Sequence, residues 1–390
     1  MRNNETGDVA IANERPGSLR PGPLWLDLRH HRRILLPLAN RAVQEYCLQF
    51  FIWARWHRLL SGLGLMAGRW SGLWSLFSKL NAEQMSTSFG EALTSLAHLP
   101  PTDQPYLAFC IGSPGPYQKA SVLTVSDDGT GQSFIKLALH ASADRTITKE
   151  QVWLEKLAAI PAMSCRVPTL LQTGNLPSGR AFLKTSVSPT LGNRSDFSRQ
   201  HELFLADLGH VTCEWRRYSE ADEAAFIAEA LGRLTPVFSH ELHDELTTAW
   251  QDALASLGDW SVPLVLAHRD FAPWNIRWHE QGIFVFDWEY ATAGANPLHD
   301  IFHFHLVQDA LSRWRRLTPG TAHGLVVRSL GYAQRTYPEG SWSRPQTSAL
   351  LLAYLLYVVL FYTDSGQLFD PRHPILSSYL TLIRSRRQWM

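Results

Sequence analysis

The sequence predicts an α+β chain in which a strand-rich stretch is followed by a helix-rich one. Three observations carry this. Residues 120–138 hold two alternating apolar segments joined by Asp127-Asp128-Gly129-Thr130-Gly131, a turn sequence. Residues 200–257 repeat apolar side chains at helical spacing. Between residues 265 and 289, short apolar segments alternate with loops that carry Asp, Asn and Pro.

The elements follow in order. Residues 1–23 are polar and rich in Asn, Gly and Pro, without the apolar run of a signal sequence, so disorder is expected there. Residues 24–104 are expected to form an aromatic-rich helical extension. Trp53, Trp56, Trp70 and Trp74 lie among Arg55, Arg58, Arg69 and Lys79. Two readings of residues 41–80 stay open: helices packed on the rest of the chain, or a peripheral membrane or protein contact. Gly62, Gly64, Gly68 and Gly72 interrupt any long amphipathic helix and favour packing.

Residues 120–125 and 133–138 read as strands, with Lys136 in the middle of the second. Lys149 to Leu157 has helical spacing, and Glu150 shares a face with Leu154 and Leu157. Residues 167–171 and 180–185 read as two more strands around a loop with Pro177 and Gly179. Helices are expected over 200–213, 224–234 and 245–257. A strand is expected at 265–267 and a hairpin over 275–278 and 283–286. Residues 349–362 are the most apolar stretch, yet fall short of the ~20 residues a membrane-spanning helix needs, so a buried core helix is expected. A solvated terminal helix is expected over 379–390, which carries Arg384, Arg386, Arg387 and Trp389.

The chemistry concentrates in His268-Arg269-Asp270-Phe271-Ala272-Pro273-Trp274-Asn275 and Phe286-Asp287-Trp288-Glu289. An Asp on a loop, an Asn five residues on and a second Asp after a hairpin can deprotonate a hydroxyl and hold metal ions on a nucleotide. Each of these residues alone could be an ordinary turn residue. Together, with an apolar strand before each half, they point to function. The hairpin returns Asp287 to the end of the sheet where Asn275 sits. Lys136, costly within an apolar strand unless paired, would reach the phosphates, and Glu150 would hold it. Gly112 and Ser113, in a loop before these strands, could offer backbone N–H groups to phosphates. Pro114 and Pro116 remove donors there, so an ordinary hairpin connection is an open alternative.

The order of these motifs resembles the aminoglycoside phosphotransferase and choline kinase family, over roughly residues 105 to 385. That family has a protein-kinase-like fold and carries His-Gly-Asp, a later Asn, Asp-Trp-Glu and Pro-x-x-Asp. The matching positions are His268-Arg269-Asp270, Asn275, Asp287-Trp288-Glu289 and Pro297-Leu298-His299-Asp300. The resemblance implies two lobes: a small antiparallel-sheet, nucleotide-binding lobe over 105–187 and a large helical lobe over 188–390. It implies ATP and Mg²⁺ as cofactors and a small-molecule hydroxyl as acceptor. Asp270 would be the base, Asn275 and Asp287 the Mg²⁺ ligands, and Lys136, braced by Glu150, the phosphate contact. Asp300 would support the catalytic loop beside His268 and Arg269, and Glu289 would face the acceptor. The segment with Thr185 and Val187 would be a hinge whose backbone meets the adenine. Arg269 departs from the family's usual Gly; a cation there could brace the loop or favour an anionic substrate. A non-catalytic nucleotide-binding scaffold and a protein kinase are the alternatives. Trp288-Glu289 in place of Phe-Gly after Asp287 favours a small-molecule acceptor.

A net charge of +1 gives no field for nucleic acid. Cys47, Cys110, Cys165 and Cys213 match neither zinc spacing nor a disulfide frame, so a reducing cytoplasm is expected, with membrane association open through residues 41–80.

Overall fold

Alternating apolar segments form antiparallel strands, and the longer periodic ones form helices that bury one face. The computed structural model describes residues 24–27, 33–36, 39–51, 106–112, 114–188, 192, 194–279, 282–311, 316–364 and 369–390. Its contacts divide them into two units: Met1–Ser113 with Ala120–Gln132 and Leu176–Gly179, and Pro114–Lys119 with Ser133–Asn175 and Arg180–Met390.

The first unit is built on β1 (Leu24–Asp27), β2 (Arg33–Leu36), β3 (Tyr106–Ile111) and β4 (Lys119–Val125), each antiparallel to the next. The helical extension expected from residue 24 therefore begins as two strands. Four residues each are too few for periodicity to separate strand from helix. Helix α1 (Arg41–Phe51) follows and buries Val43, Cys47 and Leu48. Asn40 accepts from Val43 N with its side-chain oxygen at 3.0 Å and donates to Asp127 O at 2.6 Å, so one residue starts the helix and holds the turn after β4. Gly129 in that turn has φ 85°, and a Cβ there would stand 2.9 Å from Ala42. The remainder of the aromatic stretch, residues 52–105, lies outside the described residues, as do residues 1–23.

The second unit contains the candidate site. Strands β5 (Gly131–Ala138), β7 (Ala181–Thr185) and β6 (Leu170–Asn175) pair in that order, with Lys136 opposite Leu183. Helix α2 (Ala141–Ala158) buries Ala143, Ile147, Glu150, Leu154 and Leu157 on one face. Both elements belong with the helical part, although the sequence places them in a lobe ending near residue 187. Lys136 pairs with Glu150 of α2 and with Asp287, which ties these elements to the segment after Val285.

Helix α3 (Arg199–Thr212) starts in a capping box: the Ser198 hydroxyl caps the turn and Ser198 N donates to His201 Nδ1 at 3.0 Å. Helices α4 (Asp222–Arg233) and α5 (His240–Leu257) lead to a three-stranded sheet of β12 (Thr292–Ala295), β9 (Ser261–Ala267) and β8 (Glu214–Arg217). Strands β10 (Ile276–His279) and β11 (Gly282–Val285) form the expected hairpin, with Ile276 opposite Val285. Then come α6 (His299–Leu311), α7 (Pro319–Thr336), α8 (Arg344–Asp364) and α9 (Pro374–Arg384). By length and composition α8 could cross a membrane, but 83% of its apolar window is buried within the fold, against α4, α5 and α9. It is the expected core helix.

Candidate active site

Strand β9 is buried from Val262 to Ala267 and delivers the chain to the loop at His268. That loop has no ladder to hold it, so side chains satisfy its backbone. Asp300, near the start of α6, accepts from His268 N at 2.7 Å and from Arg269 N at 2.9 Å. His268 donates from Nε2 to Phe286 O at 3.0 Å, because a carbonyl can only accept. Its bare Nδ1 then accepts from Asp270 N at 3.2 Å. His268 and Asp300 thus hold the loop through these four bonds.

Two residues with side chains adopt left-handed backbone here: Arg269 at φ 67° and Asp287 at φ 73°. The left-handed conformation at 269 accounts for a glycine in the motif this loop resembles. Arg269 is held instead by Asp300 and by its guanidinium, which lies 4.2 Å over the Tyr357 ring and donates to the Tyr357 hydroxyl. Its Nε and Nη2 are buried without a hydrogen-bond acceptor among the described residues. The buried Glu223 compensates its charge through space, while both Glu223 oxygens bond elsewhere, to Tyr218 and His299.

Asp270 and Asn275 are tied directly. Pro273 opens the short 3-10 turn that carries Asn275. Asn275 Nδ2 donates to Asp270 Oδ2 at 2.7 Å and to Asp270 O at 2.9 Å. Both are acceptors, which fixes the amide orientation and leaves Asn275 Oδ1 for another role. Phe286 N donates to Asn275 O at 3.1 Å, so the hairpin brings the residue before Asp287 against Asn275.

Lys136 Nζ lies 2.6 Å from Glu150 Oε2 and 2.5 Å from Asp287 Oδ1. Burial would lower the Lys136 pKa, but Asp287 and Glu150 raise it above its ordinary value. Burial would raise the Asp287 carboxyl, but the charges of Lys136 and then Lys119 hold it down, to about 2. The oxygens of Glu150, Asp287 and Glu289 lie within 4.8 Å of one another. Two lysines against three carboxylates leave one negative charge in excess, and every donor is a hard oxygen. This donor set fits Mg²⁺.

Glu289 corrects an expectation. It is buried and paired with Lys119 rather than facing an acceptor. The 3-10 turn at Trp288–Tyr290 folds it back into the carboxylate group. Thr185 ends β7 opposite Phe134, and Val187 follows it half-buried. Gly112 belongs to the other unit, and Ser113 lies outside the described residues.

Sequence reasoning missed His303, whose Nε2 lies 3.2 Å from Asp270 Oδ1, and Lys119, which pairs with Glu289. It also missed Tyr357 and Lys149. Lys149 donates to Thr292 Oγ1 at 3.2 Å, and burial and the Arg269 charge lower its pKa to about 8. His303 alone left a readable signal: it follows Asp300 by three positions and so shares its helix face.

A model of the phosphotransferase enzyme family matches residues 118–338. Solved structures give weaker likenesses. Aminoglycoside phosphotransferase APH(4)-Ia is 15% identical, with TM-score 0.48, covering 77% of this chain and 99% of that one. The GDP complex of wild-type aminoglycoside 2'-phosphotransferase-IIIa is 14% identical, with TM-score 0.46 and coverages of 77% and 99%. A choline/ethanolamine kinase family protein from Mesorhizobium loti is 16% identical, with TM-score 0.45 and coverages of 77% and 95%. No curated protein matches the chain.

Proposed function

Since the chain belongs to the phosphotransferase enzyme family, we propose that it moves the γ-phosphoryl group of ATP to a hydroxyl of a small molecule, such as a sugar, an amino alcohol or an aminoglycoside. The observation that carries this reading is the approach of two loops, one with a candidate base held by Asn275 and the other with Asp287, which pairs with Lys136 of β5 beside Glu150 of α2. Asp270 takes the proton of the acceptor hydroxyl as the oxygen attacks phosphorus. Lys136, steadied by Glu150, meets the negative charge of the phosphates. Asp287 and Asn275 would hold Mg²⁺, which supplies Lewis-acid neutralisation of phosphate charge. A scaffold that only binds nucleotide has no use for a braced Asp270, which supports catalysis over that alternative.

The test is transfer of label from γ-labelled ATP to pools of sugars, amino alcohols, aminoglycosides and cell metabolites, with wild type and Asp270→Asn side by side. Label entering a small molecule with wild type alone is the expected result. Equal transfer by both proteins, or label entering only protein, would overturn the reading.

A further inference from the structure

The interior behind Asp270 is polar. His303 is 5% exposed, and Tyr354 and Tyr379 are fully buried, yet their polar atoms form one chain. His303 Nε2 lies 3.2 Å from Asp270 Oδ1, His303 Nδ1 lies 3.1 Å from the Tyr354 hydroxyl, and that hydroxyl lies 2.9 Å from the Tyr379 hydroxyl. The three residues come from α6, α8 and α9, far apart in sequence. Buried polar groups are retained at a cost unless satisfied, and an apolar side chain at 303 would pack here with less demand on its neighbours.

With a neutral His303 ring, chemistry fixes the direction of every hydrogen in the chain. A base must be a carboxylate, and a carboxylate only accepts. So the bond to Oδ1 requires an N–H at His303 Nε2. A neutral ring with its proton there has a bare Nδ1, which only accepts, so Tyr354 must donate its O–H to it. With its proton committed, Tyr354 can only accept from Tyr379. Three donors in series thus point at one oxygen of Asp270. The other oxygen is held by Asn275 Nδ2 at 2.7 Å.

We propose that His303 is a positioning residue for Asp270, its ring locked as the Nε2–H tautomer by Tyr354 and Tyr379. It and Asn275 grip opposite oxygens of the carboxylate and stop its rotation, so that a free lone pair stays aimed at the acceptor hydroxyl. The side chain of Asp270 is 26% exposed, which leaves room for that approach. Helix α6 then serves the loop twice: Asp300 holds its backbone and His303 holds its carboxylate. The catalytic part rests on the phosphotransferase reading above; the tautomer does not.

The experiment has two arms. In the first, ring ¹⁵N spectra of histidine-labelled full-length protein are recorded without any acceptor, and His303 is assigned by its loss in His303→Gln. The expected result is a neutral ring protonated at Nε2 that loses its single tautomer in Tyr354→Phe. A ring protonated at Nδ1, or one indifferent to Tyr354→Phe, overturns the proposal. In the second arm, transfer is measured with the acceptor identified above. His303→Ala is expected to lower kcat by about 10- to 100-fold with KM for ATP nearly unchanged, as misplacement of a catalytic group does. His303→Gln, whose amide N–H can stand in for Nε2–H, should recover most of the loss. Unchanged kcat in His303→Ala, or no recovery in His303→Gln when it folds as wild type does, overturns the clamp. If wild type transfers label to no acceptor, the functional reading fails, and the spectra still decide the tautomer.

Discussion

The Oδ1 of Asp300 accepts the backbone N–H of Arg269 at 2.9 Å, where the backbone of Arg269 is left-handed with φ 67°. That conformation costs a residue with a Cβ about 1–2 kcal/mol. It persists because the surrounding bonds leave no alternative. Asp300→Asn keeps the shape but replaces one accepting oxygen by an NH₂ group, which faces a buried N–H. The expected cost is about 1–3 kcal/mol of folding stability, together with a fall in transfer as the loop loosens. Chemical denaturation checks the first part; stability equal to wild type would show that Asp300 does not hold the loop.

Arg269→Gly sets two effects against each other. Glycine relieves the left-handed strain, a gain of about 1–2 kcal/mol. The variant loses a hydrogen bond from a charged donor to Tyr357, about 1.5–3 kcal/mol, and a stacked cation–π contact, about 0.5–2 kcal/mol. It also leaves the buried Glu223 without the compensating charge of Arg269. A net loss of about 1–3 kcal/mol is expected. A double-mutant cycle with Tyr357→Phe should show coupling of about 0.5–3 kcal/mol. Additive losses would mean that Arg269 is braced elsewhere.

Asp287→Asn tests the ion network. Asparagine tolerates left-handed backbone as aspartate does, so the φ of 73° is retained. Lys136 keeps Glu150 as its partner at 2.6 Å. The fold should therefore survive, with an unchanged near-UV circular dichroism spectrum, while transfer falls by about 100-fold or more. Wild-type transfer by this variant would remove Asp287 from the metal assignment.

Local pattern explains which parts were readable in the sequence. Strands β4 and β5 run for seven and eight residues, long enough for an apolar strand pattern to show, and Glu150 shares a helical face with Leu154 and Leu157, so Lys136 and Glu150 could be paired in advance. Asp270, Asn275 and Asp287 form a composite motif whose hairpin has a regular period. Strand β6 begins at Leu170, three residues later than its apolar start suggests, because Val167 is buried in a loop instead. Glu289 gave no sign that it turns inward toward Lys119, an element 170 positions earlier. The contacts of His303 with Tyr354 and of Arg269 with Tyr357 span 51 and 88 positions and follow only from helix packing. The left-handed backbone of Arg269 contradicts the local preference of arginine, and such contradictions gather at functional sites.

His201 sets an acid limit on stability. It is fully buried among Phe197, Phe271, Trp278 and Phe304, with Nδ1 accepting from Ser198 N. Burial first, then the nearby charges of His305 and Arg194, push its pKa down to about 4, below the ordinary 6.5. Above pH 6.5 both folded and unfolded chains carry it neutral, and it has no effect. As pH falls from 6.5 towards 4 the unfolded chain binds a proton that the folded chain refuses. Stability then declines by roughly 1.4 kcal/mol per pH unit for this group, and the decline stops below about pH 4, where both states are protonated. His305, lowered to about 4 by burial and Arg328, acts in the same window and direction. His201→Gln suits the same position, since glutamine at the third residue of a helix can accept the Ser198 N–H as the ring does. The Tm of wild type should fall between pH 6.5 and 4, and that of His201→Gln should fall less steeply, with a residual slope from His305. Equal slopes in the two proteins would show that His201 takes up its proton in the folded state.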